Sequence, residues 1–255
     1  MTDVTEAEAE NDEADAAKVE TPEEATRRRR KSVWLFFRDI LFILLAALVI
    51  SFLIKTFLIR SFYIPSQSME NTLVPNDRVI VSLLTPGLSP LHRGDVVVFS
   101  DPGGWLESEP TAPVASSPLN DILAFVGLAA PSDNDHLIKR VIGLPGDHVK
   151  CCNALGQMTI NGVPVVEPYI NLPSGDTKSD PYTFSVTVPK GDLWVMGDNR
   201  NESADSAYHS SRHDTSPFVP MRSVTGQAIL ISWPFTRWTV LGSYPVVFQD
   251  VPASK

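Results

Sequence analysis

Residues 40–59 run for twenty positions with a single charge, Lys55, and this run restricts what the chain can fold into more than any other feature. A helix rises about 1.5 Å per residue and needs about 20 apolar residues to cross the hydrocarbon core of a bilayer. Trp34, Leu35, Phe36 and Phe37 extend the run toward the N-terminus. Arg38, Asp39 and Lys55 fall near its two ends, where long side chains reach the interface and a charge costs less. A transmembrane helix over 34–59 is expected. Arg27, Arg28, Arg29, Arg30 and Lys31 stand immediately upstream, and such clusters stay on the cytoplasmic side. The reading is therefore a single-pass type II protein of the cell membrane, N-terminus cytoplasmic and the bulk of the chain outside. A cleaved secretory signal is the competing reading. Against it, an acidic tail precedes the basic cluster, and residues 55–63 offer no small-residue cleavage pattern.

Composition divides the rest. Residues 1–26 hold ten Asp or Glu against the single Lys18 and almost no large apolar side chains, too little buried surface to offset chain entropy. Residues 1–33 are expected to form a disordered acidic cytoplasmic tail that ends in the basic stop at 27–31. Of the net charge of −9, this tail and the basic cluster leave about −5 for the remainder, which excludes a nucleic-acid-binding surface. Residues 60–255 suffice for one well-cored extracytoplasmic domain or two small lobes.

That domain reads as mainly β. Residues 95–99, 137–142, 158–160, 184–188, 193–196 and 228–233 are short runs rich in Val, Ile and aromatics, separated by turn residues. Asn161-Gly162 between two such runs is the preferred chemistry of a two-residue hairpin. No long helical period follows residue 60, so coiled antiparallel sheets are the expected architecture. Residues 101–135 form an insert with five prolines, and a loop of that length is usually functional or disordered. Within it, 122–130 reads either as a short packed helix or as a segment dipping into the interface.

Pro65-Ser66-Gln67-Ser68-Met69 follows the apolar run closely. At about 3.4 Å per residue, Ser68 lies within roughly 30 Å of the end of that run. A serine hydroxyl needs an adjacent base to become a nucleophile. His92, His136, His148, His209 and His213 sit in no motif that names a triad base. The alternative base is a lysine held neutral. Lys139 lies in a strand-like run, and two-residue alternation puts it on the face of Leu137 and Val141, with Arg140 on the other. Apolar neighbours push a lysine pKa below about 10.4, and acting as a base near neutral pH takes a shift of roughly 2 to 3 units. On this strand alone, a lysine reaching solvent from a sheet edge is the simpler reading.

The block Gly197-Asp198-Asn199-Arg200-Asn201-Glu202-Ser203-Ala204-Asp205-Ser206 adds the missing context. Together with Pro65 to Met69 and Thr72-Leu73, Gly94 to Phe99, and Lys139-Arg140-Val141-Ile142-Gly143, it resembles the bacterial type I signal peptidases, in their single-span, Gram-positive style. The resemblance runs from the apolar span to about Phe235 and leaves out the N-terminal tail and the 101–135 insert. It implies a mainly β catalytic domain and a Ser-Lys serine endopeptidase that removes signal peptides from exported preproteins after small residues in an Ala-x-Ala pattern. Ser68 would be the nucleophile, Lys139 the general base, Ser66 a donor to the oxyanion hole together with the Ser68 N–H, and Ser203 the residue orienting the base. Gly197 and Asp205 would support the site, and Phe62, Ile64, Met69, Leu73 and Ile138 would line the substrate pockets. Expected partners are exported preproteins, the lipid bilayer and the export translocon; no cofactor, metal or nucleic acid is expected.

Two positions depart from the family pattern. Asn71 stands where Pro usually precedes Thr72, which loosens the turn after the nucleophile, and Ala207 replaces an Arg that partners Asp205, leaving Arg200 or Arg212 to substitute. Cys151 and Cys152 are adjacent, either free or joined in a strained ring, and lack metal-site spacing. His209 and His213 would be metal ligands only on a helix, and Pro217 with its serine-rich surroundings argues for loop. From a different class, an inactive membrane-tethered β-domain that binds or chaperones exported proteins would have no need of both dyad members.

Overall fold

The structure is a computed structural model that describes residues 22–106, 136–213 and 215–253. Helix α1 (Pro22–Phe57) carries both the basic cluster and the apolar run. Its stretch Val33–Phe57 has mean hydropathy 2.7 and is long and apolar enough to cross a membrane. Residues 22–33, expected as part of an unstructured tail, instead open this helix, with Pro22 at the first position, where proline's missing N–H costs nothing. The remainder of the expected tail, 1–21, lies outside the described residues, as do 107–135 of the insert with its 122–130 segment. Ile59, the last residue of the apolar run, already belongs to a strand.

The second unit is built from two antiparallel sheets. The larger has the order β1 (Ile59–Tyr63), β2 (Arg78–Ser82), β11 (Val224–Trp233), β3 (Val96–Ser100), β4 (His136–Gly143), β9 (Asp192–Met196) and β10 (Val219–Pro220), with β12 (Thr239–Val240) on β11. The smaller runs β7 (Val163–Pro164), β6 (Thr159–Ile160), β5 (His148–Cys151) and β8 (Phe184–Thr187). All six expected runs fall in strands to within one residue at an end. Those in β3 and β9 are covered on both faces, which is why they read as unbroken apolar stretches rather than as alternation. Asn161 and Gly162 both take positive φ, 51° and 82°, between the paired arms of β6 and β7, as the two-residue hairpin requires. Strand β11 pairs with both β2 and β3 and is bulged against each, which bends the large sheet.

One apolar cluster joins Ile142, Trp194 and Met196 of the large sheet to Val149, Ile160 and Phe184 of the small one, and takes in Phe248 and Val251 near the C-terminus. A second fills the space under β1, β2 and β11, and a third lies about Phe99, Trp105 and Val195. The start of the insert is folded: Asp101 accepts hydrogen bonds from the backbone of Gly103, Trp105 and Leu106, and the buried Trp105 ring stacks on His209 at 4.6 Å. His209 therefore belongs to a helix, α2 (Ser206–Arg212), and not to the expected loop; Asp205 caps its start, and His213 closes it in the left-handed conformation. Cys151 and Cys152 are joined as a disulfide.

Candidate active site

Ser68 opens a tight turn: the Leu73 N–H donates to the Met69 carbonyl and the Glu70 N–H to that of Gln67. Met69 and Leu73 sink into the second cluster beside Ile64 and Ile138, with Phe62 packed against them. The five residues that the resemblance assigns to substrate pockets thus meet in one apolar cluster, which includes Met69 and Leu73 of the turn that carries Ser68. Asn71 sits in this turn with φ 95°, a value closed to proline, and its Nδ2 donates to the Tyr169 carbonyl at 3.0 Å. The expected loosening does not occur. Asparagine tolerates the left-handed conformation and ties the turn to the chain that follows β7.

Lys139 lies in the middle of β4, paired with Val97 of β3. Its Nζ stands 2.7 Å from Ser68 Oγ, and Ser66 Oγ is 3.3 Å from the same oxygen. Ser68 and Lys139 are 5% and 3% exposed, so the pair is cut off from bulk water. Burial pushes the Lys139 amine down to about 8, against the pull of the Asp205 and Asp198 carboxylates, which favour the ammonium. About a tenth of Lys139 is then a free amine at pH 7 and about half at pH 8, able to accept a proton from the hydroxyl it touches. Lys139 is not the solvent-reaching lysine of the simpler sequence reading.

The Gly197–Ser206 block packs on the other side of Ser68. A Cβ on Gly197 would collide with Ser203 Oγ and with the Ser68 carbonyl oxygen, so only glycine lets this segment lie against the nucleophile. The Gly197 N–H donates to Asp205 Oδ2 at 2.9 Å, while Asp205 Oδ1 accepts from the Ala207 and Tyr208 N–H groups of α2. Backbone donors thus take the place of the family arginine that Ala207 lacks. Arg200, one of the two expected substitutes, is engaged elsewhere: it is buried against Glu167 and donates to the Ser179 and Gly197 carbonyls. Arg212 packs over the Tyr208 ring. Ser203 Oγ is buried beside Gly197 and has no hydrogen-bond partner among the described residues, Lys139 included.

Sequence reasoning missed the clamp behind the dyad. Arg140, wholly buried, donates through Nε and Nη2 to both oxygens of Asp198, and through Nη1 to the Gly94 carbonyl. The Thr72 hydroxyl donates to Asp198 as well, fastening the nucleophile turn to the Gly197–Ser206 block. The Tyr169 and Tyr244 rings cover the guanidinium at 4.2 and 5.2 Å. The signal for this clamp was available in Lys139-Arg140 and Gly197-Asp198: an arginine next to a buried lysine in an apolar strand requires a carboxylate partner. The spacing of 58 residues between Arg140 and Asp198 is what concealed the pairing. No group of three or more His, Cys, Asp or Glu side chains able to hold a metal occurs among the described residues.

The family model described as signal peptidase, peptidase S26, matches residues 37–233. A probable signal peptidase I of Mycobacterium leprae is 38% identical over 71% of this chain and 70% of its own length. A signal peptidase I of Mycobacterium tuberculosis is 36% identical over 89% of this chain and 81% of its own. A crystal structure of a signal peptidase I from Enterococcus faecalis is similar over 54% of this chain and 95% of its own, at 25% identity and a TM-score of 0.34. On the breadth of the family match and the identity to the mycobacterial proteins, the chain belongs to the peptidase S26 family and is a bacterial type I signal peptidase, a serine-type endopeptidase of signal-peptide processing.

Proposed function

We propose that this chain is a membrane-anchored endopeptidase that cleaves exported preproteins after Ala-x-Ala, with Ser68 as nucleophile and Lys139 as general base. The observation that carries the reading is the 2.7 Å contact between Lys139 Nζ and Ser68 Oγ in a site closed to bulk water. In this mechanism the neutral amine of Lys139 takes the Ser68 proton as Oγ attacks the carbonyl carbon of the residue preceding the scissile bond. The oxyanion so formed accepts hydrogen bonds from the Ser66 hydroxyl and the Ser68 N–H. Collapse breaks the C–N bond, and the Lys139 ammonium gives its proton to the departing amine. A water deprotonated by Lys139 then hydrolyses the acyl-enzyme and releases Ser68.

Ser203, whose hydroxyl is buried without a partner among the described residues, would accept a hydrogen bond from the ammonium while Lys139 holds the proton. The apolar cluster of Ile64, Met69, Leu73 and Ile138, with Phe62 against it, would receive the small apolar side chains of the Ala-x-Ala pattern. Helix α1 would hold the enzyme in the bilayer with the basic cluster 27–31 in the cytoplasm and residues 60–255 outside, where translocated preproteins emerge beside the export translocon.

Detergent-solubilised full-length protein incubated with a preprotein bearing Ala-x-Ala tests the assignment. Cleavage is expected at that site, with loss to background in Ser68→Ala and Lys139→Ala. Undiminished cleavage by either variant would overturn the dyad, and a folded but inert wild type would favour a binding module.

A further inference from the structure

Asn199 touches the nucleophile turn twice. Its backbone N–H donates to the Ser68 carbonyl at 3.1 Å, and its side-chain Nδ2 donates to the Gln67 carbonyl at 3.3 Å. The same Nδ2 reaches Glu70 Oε2 at 3.4 Å, so the amide nitrogen faces two acceptors and its orientation is fixed by them. The residue is only 7% exposed, and it is braced from behind: the Asn171 N–H donates to the Asp198 carbonyl at 2.7 Å, and the chain bridges from Asn171 to Asn199.

The consequence follows from peptide geometry. The Gln67 carbonyl and the Ser68 N–H belong to one planar trans unit, so the donors that fix the oxygen, Asn199 Nδ2 beside the Glu70 N–H at 2.9 Å, also fix the direction of the N–H on the opposite edge. The Ser68 carbonyl belongs to the next unit, and Asn199 fixes that one as well. With both flanking peptide planes held, φ and ψ of Ser68 are set, and with them the direction of its N–H and the origin of its side chain. Both contacts take carbonyl oxygens and leave the Ser68 N–H to the substrate. Hydrogen bonding to the Gln67 oxygen also polarises the amide and makes its N–H a better donor.

We infer that Asn199 is a positioning residue for the oxyanion hole: its side chain aims the Ser68 N–H at the developing oxyanion without touching substrate. The inference rests on the Ser68–Lys139 reading. Its signature is specific, because a donor that matters only when charge has developed on the carbonyl oxygen changes kcat and leaves substrate binding alone.

The test uses the full-length detergent-solubilised enzyme and the Ala-x-Ala preprotein, with Asn199→Asp and Asn199→Ala. The first is isosteric and keeps the backbone contact but lacks the N–H donors. Rates are taken on the alkaline plateau, where the charge on Lys139 drops out, and are normalised to active sites counted with a covalent serine-directed probe, so that unfolded protein does not enter. Loss of a whole oxyanion donor costs about 10² to 10³ in rate, and a misaimed one less. Both variants are expected to lose about 10- to 100-fold in kcat with KM within about twofold, and Asn199→Ala is expected to keep the wild-type pH midpoint. In a Ser66→Ala background the further loss should shrink, since both changes act on one oxyanion. Wild-type kcat per active site in both variants, or a raised KM with kcat intact, overturns the inference. A wild type that does not cleave refutes the underlying Ser68–Lys139 reading instead, so the two failures are told apart.

Discussion

Strand β4 supplies two buried cations one residue apart, and their surroundings differ most in the partner each one meets. Arg140 meets a carboxylate in a two-pronged pair with Asp198; Lys139 meets a hydroxyl, with no carboxylate in ion-pairing reach among the described residues. Burial works against the charge in both. For Arg140 the hydrogen bonds and charge of Asp198 outweigh it and hold the guanidinium above its ordinary pKa, whereas for Lys139 burial wins and brings the amine to about 8. The same strand thus carries a permanent charge that fastens the turn and a switchable one that does chemistry. What separates them is the placement of one partner, together with the chemistry of each side chain: a guanidinium keeps its proton under any ordinary burial, and a lysine does not.

Lys139→Arg breaks the comparison most severely, because it installs a permanent cation where a free amine is required. Cleavage is expected to fall by at least about 10³-fold at every pH from 6 to 10, with the far-ultraviolet circular dichroism retained. Activity within tenfold of wild type would remove Lys139 from the role of base. Next in size is Arg140→Met, which strands the Asp198 carboxylate in the interior and is expected to cost about 3 to 5 kcal/mol in urea unfolding. Adding Asp198→Leu should recover most of that loss, since two apolar groups need no partner. No recovery in the double variant would mean that the pair holds more than its own charges, through Thr72 or the Gly94 carbonyl.

The same contrast explains how much could be read from the chain. Strands β3 and β9 were legible because burial on both faces leaves unbroken apolar runs, β4 because apolar residues flank Lys139-Arg140 on both sides, and the Asn161-Gly162 hairpin because two positive φ angles demand that chemistry. Strands β10 and β12, two residues each, carry too few side chains to show a period. Helix α2 is seven residues long and was hidden for the same reason, although Asp205 marked its start. Of the site, Ser68 and Lys139 were legible through motif resemblance. Their contact was not, since it joins residues 71 apart in sequence. The Arg140–Asp198 clamp and the Asn199 contacts stayed hidden because a pairing between distant polar residues leaves no local period to detect.

A smaller effect separates the two cations by pH. Lys139 has its folded pKa below the unfolded value, so between about 8 and about 10.5 the unfolded chain holds a proton that the folded one has released. Its burial therefore costs stability below pH 8, and that cost is relieved as pH rises to about 10.5, while Arg140 contributes no slope in this range. Activity should rise with pH through about 8 in parallel. Asp205→Asn removes a carboxylate that favours the ammonium; its one amide oxygen can accept from only one of the Gly197 and Ala207 N–H groups, which now bond to different oxygens, and the midpoint should move to lower pH by up to about one unit. An unmoved midpoint would show that the field at Lys139 comes from elsewhere.

Asp180 sharpens the comparison from the acidic side, with the smallest expected effect. Like Lys139 it is buried, and it lacks an ion-pairing partner: Oδ1 accepts from the Tyr182 N–H, and Oδ2 has no partner among the described residues. Burial first, and then the negative charges of Asp205 and Glu167, push its carboxyl up to about 7, against the opposing pull of Arg200. With the folded pKa above the unfolded value of 3.8, the folded chain holds a proton that the unfolded chain gives up between about pH 4 and 7. Stability falls as pH rises through that window, and the cost is complete above pH 7. Asp180→Asn keeps the shape and has nothing to ionise. It should match the wild type near pH 4 and exceed it by on the order of 1 to 3 kcal/mol at pH 8, read from urea unfolding at both values. Equal stability at pH 8 would mean that Asp180 is ionised and paired like Asp198, and that an unpartnered buried charge in this domain is peculiar to Lys139.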